Sequence, residues 1–101
     1  MDTTPNRFEK YKQAILDIIL SKLPSCKVTL FGSRARKTNQ PGADIDLALD
    51  NCSPIPTQKL GEIAEIIENS NMPLMVDLVD LHTATESLKK EVIREGIVWK
   101  A

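Results

Sequence analysis

Two aspartates, Asp44 and Asp46, stand one residue apart in an otherwise apolar run, and a Gly32-Ser33 pair lies a short way upstream, followed by Arg34, Arg36 and Lys37. On a strand, residues i and i+2 leave the same face about 7 Å apart at Cα. Two carboxylates so placed repel each other and stay ionised together cheaply only with a cation between them. Mg²⁺ suits such a pair, because it is usually held by one or two carboxylates plus substrate phosphates. A third carboxylate from a neighbouring strand would complete a two-metal site. Asp77 is the best supply, since it follows the apolar run Leu74-Met75-Val76, where an unpaired charge is costly. A solvated edge strand of alternating polarity explains a bare pair of this kind in most proteins, and the Gly-Ser turn upstream is what shifts the reading toward a site. Asp80 has the opposite parity from Asp77 and is expected to meet solvent. Asp50 shares the parity of Asp44 and Asp46 but falls at the strand end beside Asn51.

Gly32 follows an apolar strand and opens a short helical stretch. A helix start offers free N–H groups to phosphate, and glycine lets the backbone approach an anion closely. The Ser33 hydroxyl can donate to a phosphate oxygen. Arg34, Arg36 and Lys37 lie within one turn and can hold further negative charge, although not all can face inward.

The elements that must position these groups follow from periodicity. Phe8, Tyr11, Ile15, Ile18, Ile19 and Leu23 recur at helical spacing, which predicts a helix over 6–23 ended by Pro24 and Ser25. Residues 27–31 read as a strand, 33–38 as a short helix and 38–42 (TNQPG) as a loop. In the next strand Ile45, Leu47 and Leu49 face the core, and Asp44, Asp46 and Ala48 face the other way. SPIP at 53–56 is a loop, and Thr57 is a suitable N-cap for a helix to about residue 69. Residues 74–81 form a third strand. Thr83 to Glu86 reads as a capping box that starts a last helix, with Gly96 as its C′ residue and 97–99 as a short edge strand. The expected architecture is α/β (α+β), a small mixed sheet flanked by helices.

The whole chain limits what this site can be. Its 101 residues fit a single domain, and 42% apolar with 27% charged residues argues for a folded core. The net charge of −1 gives no global footprint for nucleic acid or a membrane. Locally the charge is polarised: no acidic residue falls between Asp17 and Asp44, whereas Lys22, Lys27, Arg34, Arg36 and Lys37 do. Cys26 and Cys52 lack metal-ligand spacing and read as free thiols of a reducing compartment. The N-terminal stretch has no apolar h-region and no run is long enough to span a bilayer, so the expected location is cytoplasmic. The single histidine, His82, is expected at the surface.

FGSRAR at 31–36 followed by DIDL at 44–47 resembles the signature of the DNA polymerase β-like nucleotidyltransferase superfamily. The short chain resembles its smallest members, the minimal nucleotidyltransferases (MNT) that are often encoded beside a HEPN-domain protein. The resemblance runs from the first helix to REGIVW at 94–99. It implies a palm-like fold, with 1–101 as one nucleotidyltransferase domain. It also implies two Mg²⁺ ions held by Asp44, Asp46 and Asp77, and phosphates held by Gly32 and Ser33 with help from Arg34 and Arg36. The implied reaction transfers a nucleoside monophosphate, AMP above all, from ATP or another nucleoside triphosphate to a hydroxyl. The implied acceptor is a HEPN ribonuclease toxin, for which the chain would serve as antitoxin. Two departures stand out: Lys37 where the family often has glycine, and Ala43 where it often has serine. Two alternatives stay open, a non-catalytic module that neutralises the partner by binding it and an enzyme acting on a small molecule. Tyr11, Met72 and Trp99 are candidates for a partner face, or else complete the core. Self-association stays open as well.

Overall fold

A computed structural model describes residues 7–101. In chain order the elements are α1 (Arg7–Lys22), β1 (Lys27–Phe31), α2 (Gly32–Arg36), β2 (Ile45–Asp50), α3 (Thr57–Glu68), β3 (Val76–Asp80), α4 (Glu86–Glu95) and β4 (Ile97–Lys100). The expected first helix is present; Asn6, where it was to begin, lies outside the described residues. The strands make one mixed sheet in the order β3-β2-β1-β4. β1 runs antiparallel to β2 and β4, whereas β2 and β3 are parallel. A parallel pair needs a crossover, and α3 supplies it.

The alternation in β2 divides the two faces of the sheet. Ile45, Leu47 and Leu49 are fully buried together with Val28 and Leu30 of β1, Ile15, Leu16 and Ile19 of α1, and Ile63 and Ile67 of α3. Each such side chain contributes about 1.5–3 kcal/mol by leaving water. The opposite face carries a smaller cluster, Phe31, Ala48 and Val92, packed by Val79, Leu81 and Leu88. α4 packs on this cluster, whose Phe31 stands directly opposite Asp46. Trp99 packs against the main core, edge-on to Phe8 at 6.1 Å. No helix of the described residues is long and apolar enough to cross a membrane.

Four local expectations are corrected. β3 begins at Val76 rather than residue 74, because its partner β2 begins at Ile45, whose N–H donates to the Met75 carbonyl (2.8 Å). α4 is capped by Thr85, which accepts the Leu88 N–H, and not by Thr83. Thr83 is engaged in the preceding turn, where its N–H and hydroxyl both donate to the Asp80 carbonyl. α3 has Pro56 at its N-cap and Thr57 already inside the helix, with no side-chain cap. Gly96 caps α4 in an extended conformation (φ −69°), not a left-handed one. It is required there because a Cβ would strike the Val92 carbonyl and the Thr29 methyl.

Asp80 corrects a fifth. It is only 4% exposed, and its carboxylate accepts the Ile55 N–H (2.8 Å) and the His82 N–H (2.9 Å). It therefore ties the loop before α3 to the end of β3, and both oxygens are satisfied, as a buried carboxylate requires. Asp50 accepts the Cys52 N–H and pairs with the exposed His82 Nε2 at 3.0 Å. Cys26 is buried, which pushes its thiol up to about 11, and Cys52 is exposed; both are free.

Candidate functional site

Asp46 sits at the centre of the site because of strand register. It lies directly beside Asp77 on parallel β3 and directly opposite Phe31 on antiparallel β1. Side chains paired across strands share a face, so the Asp46 and Asp77 carboxylates leave the same side of the sheet. Gly32 follows Phe31 and adopts φ +76°. A Cβ on Gly32 would strike the Asp46 carboxylate. Glycine is thus required twice, by the left-handed backbone and by the close approach of that carboxylate. The chain reverses into α2 immediately over Asp46, so the Gly-Ser turn and the aspartates form one site.

Asp44 lies just ahead of β2 and is exposed, Asp77 is exposed, and Asp46 is half-buried. Burial, then the charges of Asp77, Asp44 and Glu91, hold the Asp46 carboxyl above its ordinary value, and Arg36 pulls it back down. The site is therefore a surplus of negative charge in mutual repulsion. Among the described residues no three Asp, Glu, His or Cys side chains are gathered closely enough to hold one metal ion in this conformation. Their chemistry nevertheless fits a hard divalent cation: every donor is a carboxylate oxygen, and a cation would relieve the repulsion that raises Asp46.

The two arginines are engaged. Arg36 pairs with Glu95 (3.1 Å) and Glu91 (3.6 Å) of α4, which fastens α2 to α4. That hydrogen bond is the main reason the Glu95 carboxyl is held below its ordinary value. Arg34 turns toward the loop ahead of Asp44, where Nε donates to the Ala43 carbonyl (3.0 Å) and Nη2 to the Pro41 carbonyl (3.1 Å). Ser33 is half-buried in the first turn of α2, and its carbonyl accepts the Thr38 N–H. Lys37 closes α2 in a left-handed conformation (φ 61°), which explains why glycine suits this position.

The structure brings Asp44, Asp46, Asp77 and Gly32 to one end of one sheet face, with Ser33 in the adjoining turn. Sequence reasoning missed Glu91 and Glu95. They are one helical turn apart on α4 and meet a cation 59 residues from Glu95, so no local pattern announces them.

Residues 13–100 match the polymerase beta nucleotidyltransferase family, and the chain belongs to it. It is similar to a probable protein adenylyltransferase MntA of Haemophilus influenzae, at 34% identity over 86 residues that cover 84% of this chain and 75% of that protein. A chain of a solved toxin–antitoxin complex with AMP-PNP superposes with a TM-score of 0.76 at 26% identity, covering 87% of this chain and 71% of that one. A second solved complex, of tri-AMPylated Shewanella oneidensis HEPN toxin with MNT antitoxin, contains a chain matched at TM-score 0.72 and 24% identity over 90% of this chain and 70% of that one. At that identity the likeness concerns the fold.

Proposed function

We propose that this chain, as one nucleotidyltransferase domain, moves AMP from ATP to a hydroxyl of a HEPN-domain toxin and acts as its antitoxin. The observation that carries the reading is the register of Asp46 with Asp77 together with the close approach of the Gly32 turn to the Asp46 carboxylate. The similarity to a probable protein adenylyltransferase and to a chain of a toxin–antitoxin complex with AMP-PNP supports ATP as donor and a protein as acceptor.

In this reading Asp44, Asp46 and Asp77 hold Mg²⁺. The bound metal would lower the acceptor hydroxyl's pKa and stabilise the charge that develops on the leaving pyrophosphate. The Gly32 and Ser33 backbone and the Ser33 hydroxyl orient the β and γ phosphates. Arg36 exchanges its exposed pairing with Glu91 and Glu95 for phosphate oxygen; solvent screens ion pairs of that kind, so they are held weakly. Asp77, on an edge strand and exposed, faces the acceptor and accepts the hydrogen bond of its hydroxyl.

The second reading is a module that neutralises the toxin by covering it. Exposed apolar side chains favour it: Met75, Ile93 and Val98 are 70%, 85% and 62% exposed. One experiment separates the two. Intact-mass analysis of a HEPN-domain toxin is made after incubation with this chain, ATP and Mg²⁺, with Asp44→Asn/Asp46→Asn as control. Gain of one or more AMP masses, absent in the control, is the expected result. A stable complex without mass gain, for ATP and the other nucleoside triphosphates, would replace transfer with binding.

A further inference from the structure

We propose that Arg34 is a positioning residue: it fixes the peptide that leads into Asp44 and so sets where that carboxylate stands relative to Asp46 and Asp77. The proposal rests on Asp44 being a member of the site.

Asp44 has little else to hold it. It is exposed, and the strand ladder starts only at Ile45. Gly42, two residues before it, has nothing within 4 Å of where a Cβ would be. The loop's own backbone bond near Asp44 is Ala43 N–H to the Gln40 carbonyl at 3.1 Å. Arg34 grips this open segment from α2 with two N–H groups of one planar fork, on the Pro41 and Ala43 carbonyls. The Ala43 carbonyl belongs to the peptide bond joining Ala43 to Asp44, so holding it restrains the backbone rotation that carries the carboxylate.

The fork is itself held. Its guanidinium carbon lies 5.1 Å over the Phe8 ring of α1, and Phe8 stands edge-on against Trp99 of β4. A line of contacts thus runs from the sheet edge through two aromatic rings and one guanidinium to the loop ahead of Asp44. Lysine can supply the charge but not two donors fixed in one plane. The residue types are therefore specific to restraining the loop. This differs from the role the sequence suggests for Arg34, as a cation for phosphate.

The test compares the whole chain with Arg34→Lys, Arg34→Gln and Phe8→Leu, all confirmed as folded by circular dichroism. In the absence of nucleotide, exchange of the Ala43 amide should speed up about tenfold in both Arg34 variants, while the Thr38 amide keeps its rate. Mn²⁺ alone, titrated by paramagnetic resonance, should bind several-fold more weakly. In the transfer reaction kcat should fall while KM for ATP stays within about twofold. Unchanged exchange and Mn²⁺ binding with a raised KM would make Arg34 a phosphate ligand and overturn the proposal; no change in any readout would overturn it too. If Arg34→Gln does not fold, Phe8→Leu decides on the same readouts, with a smaller change in the same direction expected. The exchange and Mn²⁺ arms need no turnover. A wild-type chain that transfers no nucleotide therefore fails the functional reading and leaves these arms to judge Arg34.

Discussion

Asp46 is the residue in which the proposed function and stability oppose each other. Its pKa is raised, first by burial and then by Asp77, Asp44 and Glu91. The folded chain therefore takes up this proton more readily than the unfolded one. The destabilisation is fully present above the raised value and disappears as pH falls toward the unfolded value of 3.8. In chelator at neutral pH, Asp46→Asn should melt above wild type, and the gain should shrink in acid; a lower melting temperature at neutral pH would contradict the repulsion. Asp50 carries the opposite sign. The Cys52 N–H, and then His82, hold its carboxyl low, so its contribution is present above 3.8 and is lost as pH falls through the lowered value. Gly32→Ala meets both constraints on that position, the positive φ and the Asp46 carboxylate. It should cost at least about 1–2 kcal/mol in thermal melts and remove transfer, because either the turn or the carboxylate must move.

At the scale of elements, stretches with regular hydrophobic periods were legible and tertiary contacts were not. The alternation in β2 announced both the buried row Ile45, Leu47, Leu49 and the carboxylate row, since period two fixes the faces. Parity alone separated Asp77 from Asp80, and the structure places the two on opposite faces. Where Asp80 goes could not be read, because the groups it binds come from the loop at Ile55 and from the turn at His82. The partners of Arg34 and Arg36 lie across the fold for the same reason. Asp80→Ala should therefore be among the more destabilising single changes at this end of the sheet. Leaving the buried Ile55 N–H and the part-buried His82 N–H unmatched costs about 1–3 kcal/mol by denaturant titration. A cost below about 0.5 kcal/mol would show that the loop does not depend on it. Lys37→Gly should stabilise α2 by roughly 0.5 kcal/mol, as relief of the left-handed strain outweighs glycine's entropy.

At the scale of the molecule, two clusters of unequal size hold one sheet. The main core joins α1 and α3 to one face, and the smaller cluster seats α4 on the other. Leu47→Ala should cost about 2–5 kcal/mol and unfold the chain as a unit. Val92→Ala should cost less and loosen α4, and with it Glu91, Glu95 and the hold on Arg36. Asp44 and Asp77 are exposed and Asp46 is half-buried, so the fold that assembles the candidate site also keeps it accessible to a partner. The most direct test of the central claim follows which phosphate of ATP reaches the acceptor. With a HEPN-domain toxin and Mg²⁺, label at the α-phosphate should appear on the toxin and label at the γ-phosphate should leave as pyrophosphate, with neither event in Asp77→Asn. Label on the toxin from the γ-phosphate, or equal α-label transfer by Asp77→Asn, would contradict nucleotidyl transfer at this site.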